Sequence, residues 1–429
     1  PFDIDNDLPL RLSVHSRAAD DHILLLTAHH IAADGWSLLT LFDEFFRLYE
    51  EASGGCAAGL SKPTTDYAAY VRWQQDLLSG PEGERLWAYW REQLAEPRGR
   101  ASLPVDRRPP ALRSFAGAGA ALPLSPALTG RLADLGQKLG VTPFVVWMAA
   151  FQAFLFRLTE SQDVIVGTPT FGRSKAEFLP IIGDFVNSVP LRARMTAEMT
   201  FAELTAQLRQ TTMEVLDAQE FPLSLLVQRL QPDRAVGGSP LFDTFFVLQR
   251  FDQYKHLQTL LGGETDAEPV MLGGLSLTPY PLTQTSAQFD LALQMVEVGD
   301  SICGAFWYST EIFDRSTAEA FAADYVRLLD EISTDSHIAL GALTPPSGTK
   351  SLDPAVTALI AELEARDVQI SLEDGKLRLN APKGALDDAL KAKLSAHRDG
   401  LLTALQAVVW PDSKTGGIPP LPEGRRPEL

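Results

Sequence analysis

"HHIAADGWS", residues 29–37, sets two adjacent histidines ahead of an Asp-Gly pair, directly after the apolar run "ILLL". The apolar run predicts a buried strand, the Asp-Gly pair a tight turn, and the helical spacing that starts at Trp36 an amphipathic helix. Alternation along a strand would send His29 and His30 to opposite faces, so at most one of them lines a given cavity. This geometry argues against a metal ion held by both imidazoles.

The chemistry of this stretch allows a structural and a functional interpretation. Two core histidines satisfied by backbone carbonyls would explain His29 and His30 without any reaction. A strand end, a turn and an amide-rich helix start that converge on one imidazole are also how a general base beside an anion-stabilising site is built. For Asp34 we predict a helix cap or an ion pair with an arginine, and for Gly35 a positive φ or a close backbone approach.

The composition limits the class of protein. With 429 residues we expect two or three domains, and a hydrophobic content of 45% is enough for proper cores. A net charge of −18 without basic runs argues against nucleic acid as a partner. Cys56 and Cys303 lie far apart in the sequence, which excludes a disulfide framework and a thiolate zinc site and favours the cytoplasm. Because no stretch has the length of a membrane span or the pattern of a signal peptide, we expect no membrane partner.

Strand and helix patterns alternate along residues 1–345, which predicts an α+β fold with mostly non-local sheet contacts. Within it, "QFDLALQMVEVGDSICGAFWYST" predicts a β-hairpin. Residues 346–353 have the Pro, Gly and Ser content of a linker. Residues 354–409 predict a helix, two strands joined by an Asp-Gly turn, and a second helix, a module too small for a buried cleft and therefore suited to binding. Residues 410–429 have the composition of a second linker.

Five segments occur in an order that is specific to one family. "HHIAADGWS" closely resembles the HHxxxDG signature of the condensation domains of nonribosomal peptide synthetases. "DYAAYVRWQ" resembles the Tyr/Trp-Gln helix of that family and "IGDFVNSVPLR" its Gly-Phe-Val-Asn segment. "EFPLSLLV" resembles its Pro-centred helix start and "SPLFDTFFVLQ" its Pro-Leu-Phe strand. Five ordered matches form a far more specific signal than any one of them.

The resemblance implies a fold and a reaction. The fold would be like that of chloramphenicol acetyltransferase, with two lobes and a tunnel between them. Residues 1–62 would be the end of the N-terminal lobe and residues 63–345 the complete C-terminal lobe. Donor and acceptor carrier proteins would bring their substrates on phosphopantetheine arms, and the domain itself would bind no cofactor. Because the chain starts at Pro1 without the two earliest motifs of the family, we expect it to be a fragment of a longer protein.

The resemblance also implies roles for the residues of the motif. His30 would lie at the tunnel centre as the catalytic residue, whereas His29 would point into the lobe. Asp34, Gly35 and Trp36 would support the motif, with Asp34 tied to an arginine. An α-amine with a pKa of about 8 is already partly neutral near pH 7. We therefore favour a His30 that positions the acceptor amine and accepts its proton after the C–N bond forms.

Three residues of the "IGDFVNSVPLR" segment are further candidates for the site. Arg192 is a candidate ion-pair partner for Asp34. Asn187 and Ser188 are candidates for the tunnel lining, and for Asn187 the satisfaction of backbone groups at a strand crossing is an equally open interpretation.

The module at residues 354–409 resembles the TubC-type N-terminal docking domains of the same synthetases in its helix-hairpin-helix order and in "VQISLEDGKLRLNAPKGAL". This resemblance implies that the hairpin binds a short linear motif at the end of an upstream synthetase subunit. Lys376, Arg378 and Lys383 would offer positive charge to an acidic peptide or would only keep the hairpin soluble.

Several alternatives remain open at this stage. An epimerisation domain shares the double histidine, although the "DGWS" continuation and the intact Phe-Val-Asn segment favour condensation. A heterocyclisation domain would carry aspartates in place of the histidines. An unrelated acyltransferase would use His29 in place of His30, and a metal hydrolase would be inhibited by chelators. A non-enzyme that acts only in docking and scaffolding would bind its partners without turnover.

Overall fold

The chain forms two compact units in the computed structural model, Pro1–Gly348 and Thr349–Leu429. The structure describes residues 2–95, 103–107, 109–110, 112–230, 241–250, 252–257, 260, 269–280, 282, 284–298, 301–347, 359, 362–363, 366, 368–373, 376–381, 386–398 and 401. In chain order, the helices and strands of the first unit are β1 (Leu10–Ser16), β2 (His22–Ala28), α1 (Gly35–Ala52), α2 (Tyr67–Ser79), α3 (Pro81–Gln93), β3 (Gly117–Ala121), α4 (Pro126–Leu139), α5 (Pro143–Thr159), β4 (Asp163–Thr170), β5 (Asn187–Arg194), α6 (Phe201–Asp217), α7 (Leu223–Leu230), β6 (Thr244–Gln249), β7 (Val270–Leu272), β8 (Leu275–Leu277), β9 (Leu291–Val298), β10 (Ser301–Ser309) and α8 (Arg315–Thr334).

Six of these strands form one mixed sheet in the order β3-β10-β9-β6-β4-β5. β6 is parallel to both of its neighbours, β4 and β9, while the other pairs are antiparallel. The hairpin predicted around the Gly-Asp pair is confirmed as β9 and β10, with Ser301 opposite Val298. Because most neighbours in this sheet are distant in sequence, the predicted non-local α+β pattern is also confirmed.

Helix α5 lies in the core of the first unit. Its sequence is apolar on all sides, a pattern typical of a buried helix. Thr142 caps its first turn, and Phe151 and Phe154 pack against the ring of Phe306 on β10 at 6.0 and 5.7 Å. Within the described ranges, no single helix has the length and apolar character to span a membrane, and only α4 and α5 meet those criteria as a pair, bent by 105°.

Helix α1 packs against two later segments of the first unit. In the segment that joins β4 to β5, the backbone oxygen of Leu179 accepts a hydrogen bond from Trp36 Nε1 at 3.2 Å. In the short 3₁₀ segment Asp252–Leu257, the hydroxyl of Tyr254 lies 2.9 Å from that of Thr40. These contacts hold the start of α1, and hence the histidine motif, against the segment that joins β4 to β5 and against residues 252–257.

The second unit contains a two-stranded antiparallel hairpin, β11 (Gln369–Glu373) and β12 (Lys376–Asn380), and helix α9 (Asp388–Ala396). Both elements were predicted from the sequence. Leu359, Leu363 and Leu390 belong to its small core. Most of the first predicted helix and of the linkers at 346–353 and 410–429 lies outside the described residues.

Candidate active site

The two histidines lie in the turn between β2 and α1 and not in the strand itself. β2 ends at Ala28, so the alternation expected to separate the imidazoles does not apply. The backbone amide of Ile31 donates to His29 Nδ1 at 3.1 Å, and the ring of Phe2 lies 5.9 Å from that of His29. His29 is half-buried, whereas the side chain of His30 is 70% exposed. The residues described by the structure include no group of three or more His, Cys, Asp or Glu placed to hold a metal ion.

Among the residues that the structure describes, His30 has one charged neighbour at contact distance. Its Nδ1 lies 3.5 Å from Oδ1 of Asp184, in the segment that leads into β5. The pKa of His30 is raised above its ordinary value, chiefly through the interaction with the Asp184 carboxylate and against the opposing effect of burial. Most of the imidazole edge is open to a molecule from solution.

Asp34 stabilises the turn from its buried side through a helix cap and an ion pair. Its Oδ1 accepts a hydrogen bond from the backbone amide of Ser37 at 2.8 Å, which caps α1. The same carboxylate forms a two-pronged ion pair with Arg173, with distances of 2.6 and 3.0 Å. Both side chains are 0% exposed. Asp34 therefore has both of the roles predicted for it.

The prediction that Arg192 pairs with Asp34 is wrong. Its guanidinium pairs with Asp163 at 2.5 Å and donates to backbone oxygens near the end of α3. β4 and β5 are antiparallel, with Asn187 opposite Thr170 and Arg194 opposite Asp163. Arg192 is thus near the far end of an eight-residue pair of strands, which span roughly 25 Å. Arg173, three residues beyond the near end of β4, is the arginine that reaches Asp34.

The pKa of Asp34 follows from this arrangement. Burial raises the pKa of the carboxyl, but the hydrogen bonds from Arg173 and Ser37 and the charge of Arg173 outweigh that effect, and the pKa lies below its ordinary value. Both side chains of the ion pair also form hydrogen bonds with backbone groups. Arg173 donates to the backbone oxygen of Ile181 at 3.3 Å, and the backbone amide of Phe185 donates to Asp34 Oδ2 at 3.1 Å. The turn is therefore tied to the start of β5.

Gly35 does not have the special conformation that was expected. It starts α1 without a positive φ, and a Cβ atom built on it would have nothing within 4 Å. Trp36 does support the motif: its ring makes edge contacts with Phe171 at 4.9 Å and with Tyr254 at 5.1 Å. The indole thus holds the start of α1 against two neighbouring segments, whereas Gly35 leaves open space beside the turn.

Asn187 forms a clamp on the start of α7. Its Nδ2 donates to the backbone oxygens of Gln219 and Phe221 at 2.8 Å each, and its Oδ1 accepts from the amide of Leu223 at 3.0 Å. These bonds support the backbone role that was one of its two interpretations. Ser188 follows it on β5, half-buried and opposite Pro169.

Asn187→Ala is expected to lower the free energy of unfolding by about 1–3 kcal/mol, because it leaves three partly buried backbone groups without partners. Urea unfolding followed by circular dichroism measures this difference. Asn187→Asp is the matched variant, since it keeps the acceptor for Leu223 and loses both donors. A free energy within about 0.5 kcal/mol of the parent for Asn187→Ala would contradict the clamp.

Two residues of the site, Arg173 and Asp184, were missed from the sequence. "TFGRSK" offered a lone arginine in a loop, and "IIGDFV" an acidic residue between a glycine and a phenylalanine. Neither has helical or strand spacing to the motif, and only the pairing of β4 with β5 brings both beside residues 30–37.

The docking hairpin was predicted to carry three basic residues. β12 places Lys376 opposite Glu373 and Arg378 opposite Ser371. Arg378 is exposed, as is its neighbour Leu379. Lys383 lies outside the described residues.

Comparisons with known proteins show the family of the chain. The family model of the condensation domain matches residues 1–351. The chain belongs to the condensation domain family. A second model, that of the TubC N-terminal docking domain, matches residues 356–407 of the same chain. The chain therefore contains both a condensation domain and a docking domain.

Among curated proteins, this condensation domain is 34% identical to one linear gramicidin synthase of Brevibacillus parabrevis over 337 residues, which are 78% of this chain and 4% of that protein. It is 32% identical to phosphinothricin tripeptide synthetase of Streptomyces viridochromogenes over 343 residues, 80% of this chain and 30% of that protein. The chain thus spans only 4 to 6% of the three gramicidin synthase proteins that it matches.

Solved structures confirm the predicted fold. The X-domain from teicoplanin biosynthesis is 25% identical with a TM-score of 0.68, covering 80% of this chain and 76% of that chain. The first condensation domain of the calcium-dependent antibiotic synthetase, in complex with substrate analogue 2a, is 19% identical with a TM-score of 0.63 and covers 81% and 74%. This condensation domain therefore has the α+β, chloramphenicol acetyltransferase-like fold.

Proposed function

We propose that this condensation domain forms amide bonds between two carrier-bound substrates. The amine of an acceptor aminoacyl thioester attacks the carbonyl of a donor acyl or peptidyl thioester. The new C–N bond forms, the C–S bond of the donor breaks, and the donor carrier leaves with a free thiol. The single observation that carries this proposal is the exposed His30 imidazole, held by a turn whose buried Asp34–Arg173 pair fixes it in place.

The role proposed for His30 follows from the acidity of the amine before and after attack. A free α-amine has a pKa of about 8, so a useful fraction is neutral near pH 7 without help. Once nitrogen bonds to carbon, the resulting ammonium is strongly acidic and must lose a proton. His30 positions the amine, accepts this proton and can return it to the departing sulfur. The half-buried His29, whose Nδ1 already accepts the Ile31 amide, has no such role.

The partners follow from the substrates. Two peptidyl carrier proteins would deliver the thioesters on phosphopantetheine arms, so the domain needs no cofactor of its own. The names of the relatives, a gramicidin synthase and a tripeptide synthetase, support a peptide product. We place the reaction in the cytoplasm, supported by the content of only two cysteines in 429 residues.

An assay with loaded carriers tests this function. The chain is mixed with a donor carrier that bears an acyl or peptidyl thioester and an acceptor carrier from a panel of aminoacyl thioesters. Mass spectrometry of the acceptor arm should show a gain equal to the donor acyl group. An acceptor whose amine is acetylated is the matched control and should give no product, because its nitrogen cannot attack.

Each alternative has a different outcome in the same assay. Release of the free donor acid would indicate a hydrolase, and inhibition by a chelator would indicate a metal hydrolase. A change in the stereochemistry of a carrier-bound residue without bond formation would indicate an epimerisation domain. Carrier binding without any chemical change across the panel would contradict condensation and leave docking and scaffolding as the function.

For the second unit, we propose that the hairpin binds a short acidic motif of another synthetase subunit. β11 and β12 form a two-stranded sheet, and no third strand of the described chain pairs with either of them. Such an edge can accept an extended peptide through its backbone groups. The exposed Arg378 and Leu379 on β12 offer one charged and one apolar contact beside that edge.

Arg378→Glu is expected to weaken binding of a fluorescein-labelled peptide of alternating Leu and Glu residues by about 10-fold in fluorescence anisotropy. The cause is the replacement of an attractive charge by a repulsive one. Lys391→Glu on the exposed face of α9 makes the same change of charge and should have little effect. Equal loss in both variants would contradict a specific hairpin site, because it would indicate attraction by net charge alone.

A further inference from the structure

Asp184 lies where it can act on His30. Its Oδ1 is 3.5 Å from His30 Nδ1, within the range of an ion-pair contact and longer than an ordinary hydrogen bond. This oxygen is buried and accepts no hydrogen bond in the described structure. A buried carboxylate oxygen that accepts no hydrogen bond costs free energy of folding. An imidazole N–H that turns toward this oxygen would donate the missing hydrogen bond and would gain an acceptor for itself.

The backbone around Asp184 is held on both sides. The preceding carbonyl, that of Gly183, accepts from the amide of Asp34 at 3.1 Å. The following amide, that of Phe185, donates to the carboxylate of Asp34 at 3.1 Å. The carbonyl of Asp184 itself accepts from the Tyr67 hydroxyl at 2.7 Å. Three successive residues are thus bound to neighbouring elements through their backbone groups, which fixes the backbone that carries the Asp184 carboxylate relative to the histidine turn.

We propose that Asp184 is a positioning residue for His30, which holds the Nδ1 edge of the imidazole and leaves Nε2 to accept the proton of the acceptor amine. A carboxylate beside Nδ1 favours the tautomer with hydrogen on Nδ1, and the lone pair is then on Nε2. This inference rests on the proposed condensation function. It adds a residue that neither the motif nor the spacing of the sequence indicates.

The pair also sets the pH dependence of the site. The charged groups that act on His30 are the Asp184 carboxylate and, more weakly, the buried Asp34 carboxylate. Both favour the imidazolium, so the pKa of His30 lies above its ordinary value. Since the reaction needs neutral His30, activity is lost as pH falls through this raised pKa. Removal of the Asp184 charge should lower the pKa and move the acid limb of the rate profile to lower pH.

Asp184→Asn in the full chain tests the pair with two readouts. An NMR titration of the His30 ring, assigned by its absence in His30→Gln, should show a lower midpoint than in the parent. The kcat for amide formation should fall about 10-fold, part of the 10²–10⁴ that a positioned base contributes, with the acceptor KM changed by less than about threefold. Asp184→Glu should restore most of both values. Asp134→Asn, which removes an exposed carboxylate on α4, is the matched control and should change neither.

The outcomes separate this inference from the proposed function. An unchanged midpoint in Asp184→Asn overturns the pair, even if kcat falls. A shifted midpoint with unchanged kcat overturns the positioning role. If the parent forms no amide, the proposed function fails, and the titration midpoint alone then supports or overturns the pair. A thermal unfolding curve that matches the parent ensures that the result for either Asp184 variant refers to the folded protein.

Discussion

His30→Ala is expected to slow amide formation by about 10²–10⁴-fold, the usual contribution of a positioned general base. The reason is that the ammonium formed after attack loses its proton acceptor and the amine loses a contact that orients it. The change is measured as the rate at which product forms on the acceptor carrier, monitored by mass spectrometry with both carriers at saturating concentration. Because the imidazole is 70% exposed, the thermal unfolding midpoint should stay close to that of the parent.

His29→Ala is the control for this substitution. His29 accepts the Ile31 amide and lies against Phe2, so its loss should cost some stability and little turnover. A large loss of turnover in His29→Ala with normal rates in His30→Ala would indicate an acyltransferase that uses the first histidine. Equal rates in the parent and in His30→Ala would contradict catalysis by His30 and would favour docking as the function of the chain.

The fold could be predicted from the sequence where the pattern is local. The helix from Trp36, the hairpin of β9 and β10 and the hairpin of the second unit each follow from spacing within one segment. These features depend on residues that are neighbours in the chain, and tertiary packing did not override them.

The candidate site could be predicted only in part, because its charged partners come from distant segments. The sequence gives no means to choose Arg173 over Arg192 for Asp34, since the choice depends on which end of β4 meets the turn. Asp184 was missed for the same reason. For Gly35 the Asp-Gly pair predicted a positive φ or a close backbone approach, but the residue starts a helix without a positive φ and has open space beside it. These contacts depend on the register of β4 with β5 and on where the loop between them meets the turn, and no pattern of neighbouring residues in the sequence indicates either.

Arg173→Ala is expected to lower the free energy of unfolding by about 3–5 kcal/mol, a large share of the stability of one domain. Asp34 and Arg173 are both 0% exposed, so removal of the guanidinium leaves a buried carboxylate without its charged partner. Ser37 Oγ and Ile181 O also lose a donor. Urea unfolding followed by circular dichroism measures the change. Arg315→Ala is the control: its pair with Glu319 has both side chains exposed, by 85% and 54%, and should be worth less than about 1 kcal/mol.

The stability of this buried pair should depend on pH in a defined direction. The pKa of Asp34 is lowered in the folded chain from the ordinary value of 3.8. The unfolded chain therefore binds a proton more readily, and the contribution of the pair is complete above pH 3.8 and is lost as pH falls through the lower folded pKa. Asp34→Asn removes this titration and should flatten the acid limb of the stability curve relative to the parent. An acid limb that is identical in both proteins, or an Arg173→Ala variant as stable as the parent, would contradict the view that this pair holds the histidine turn in place.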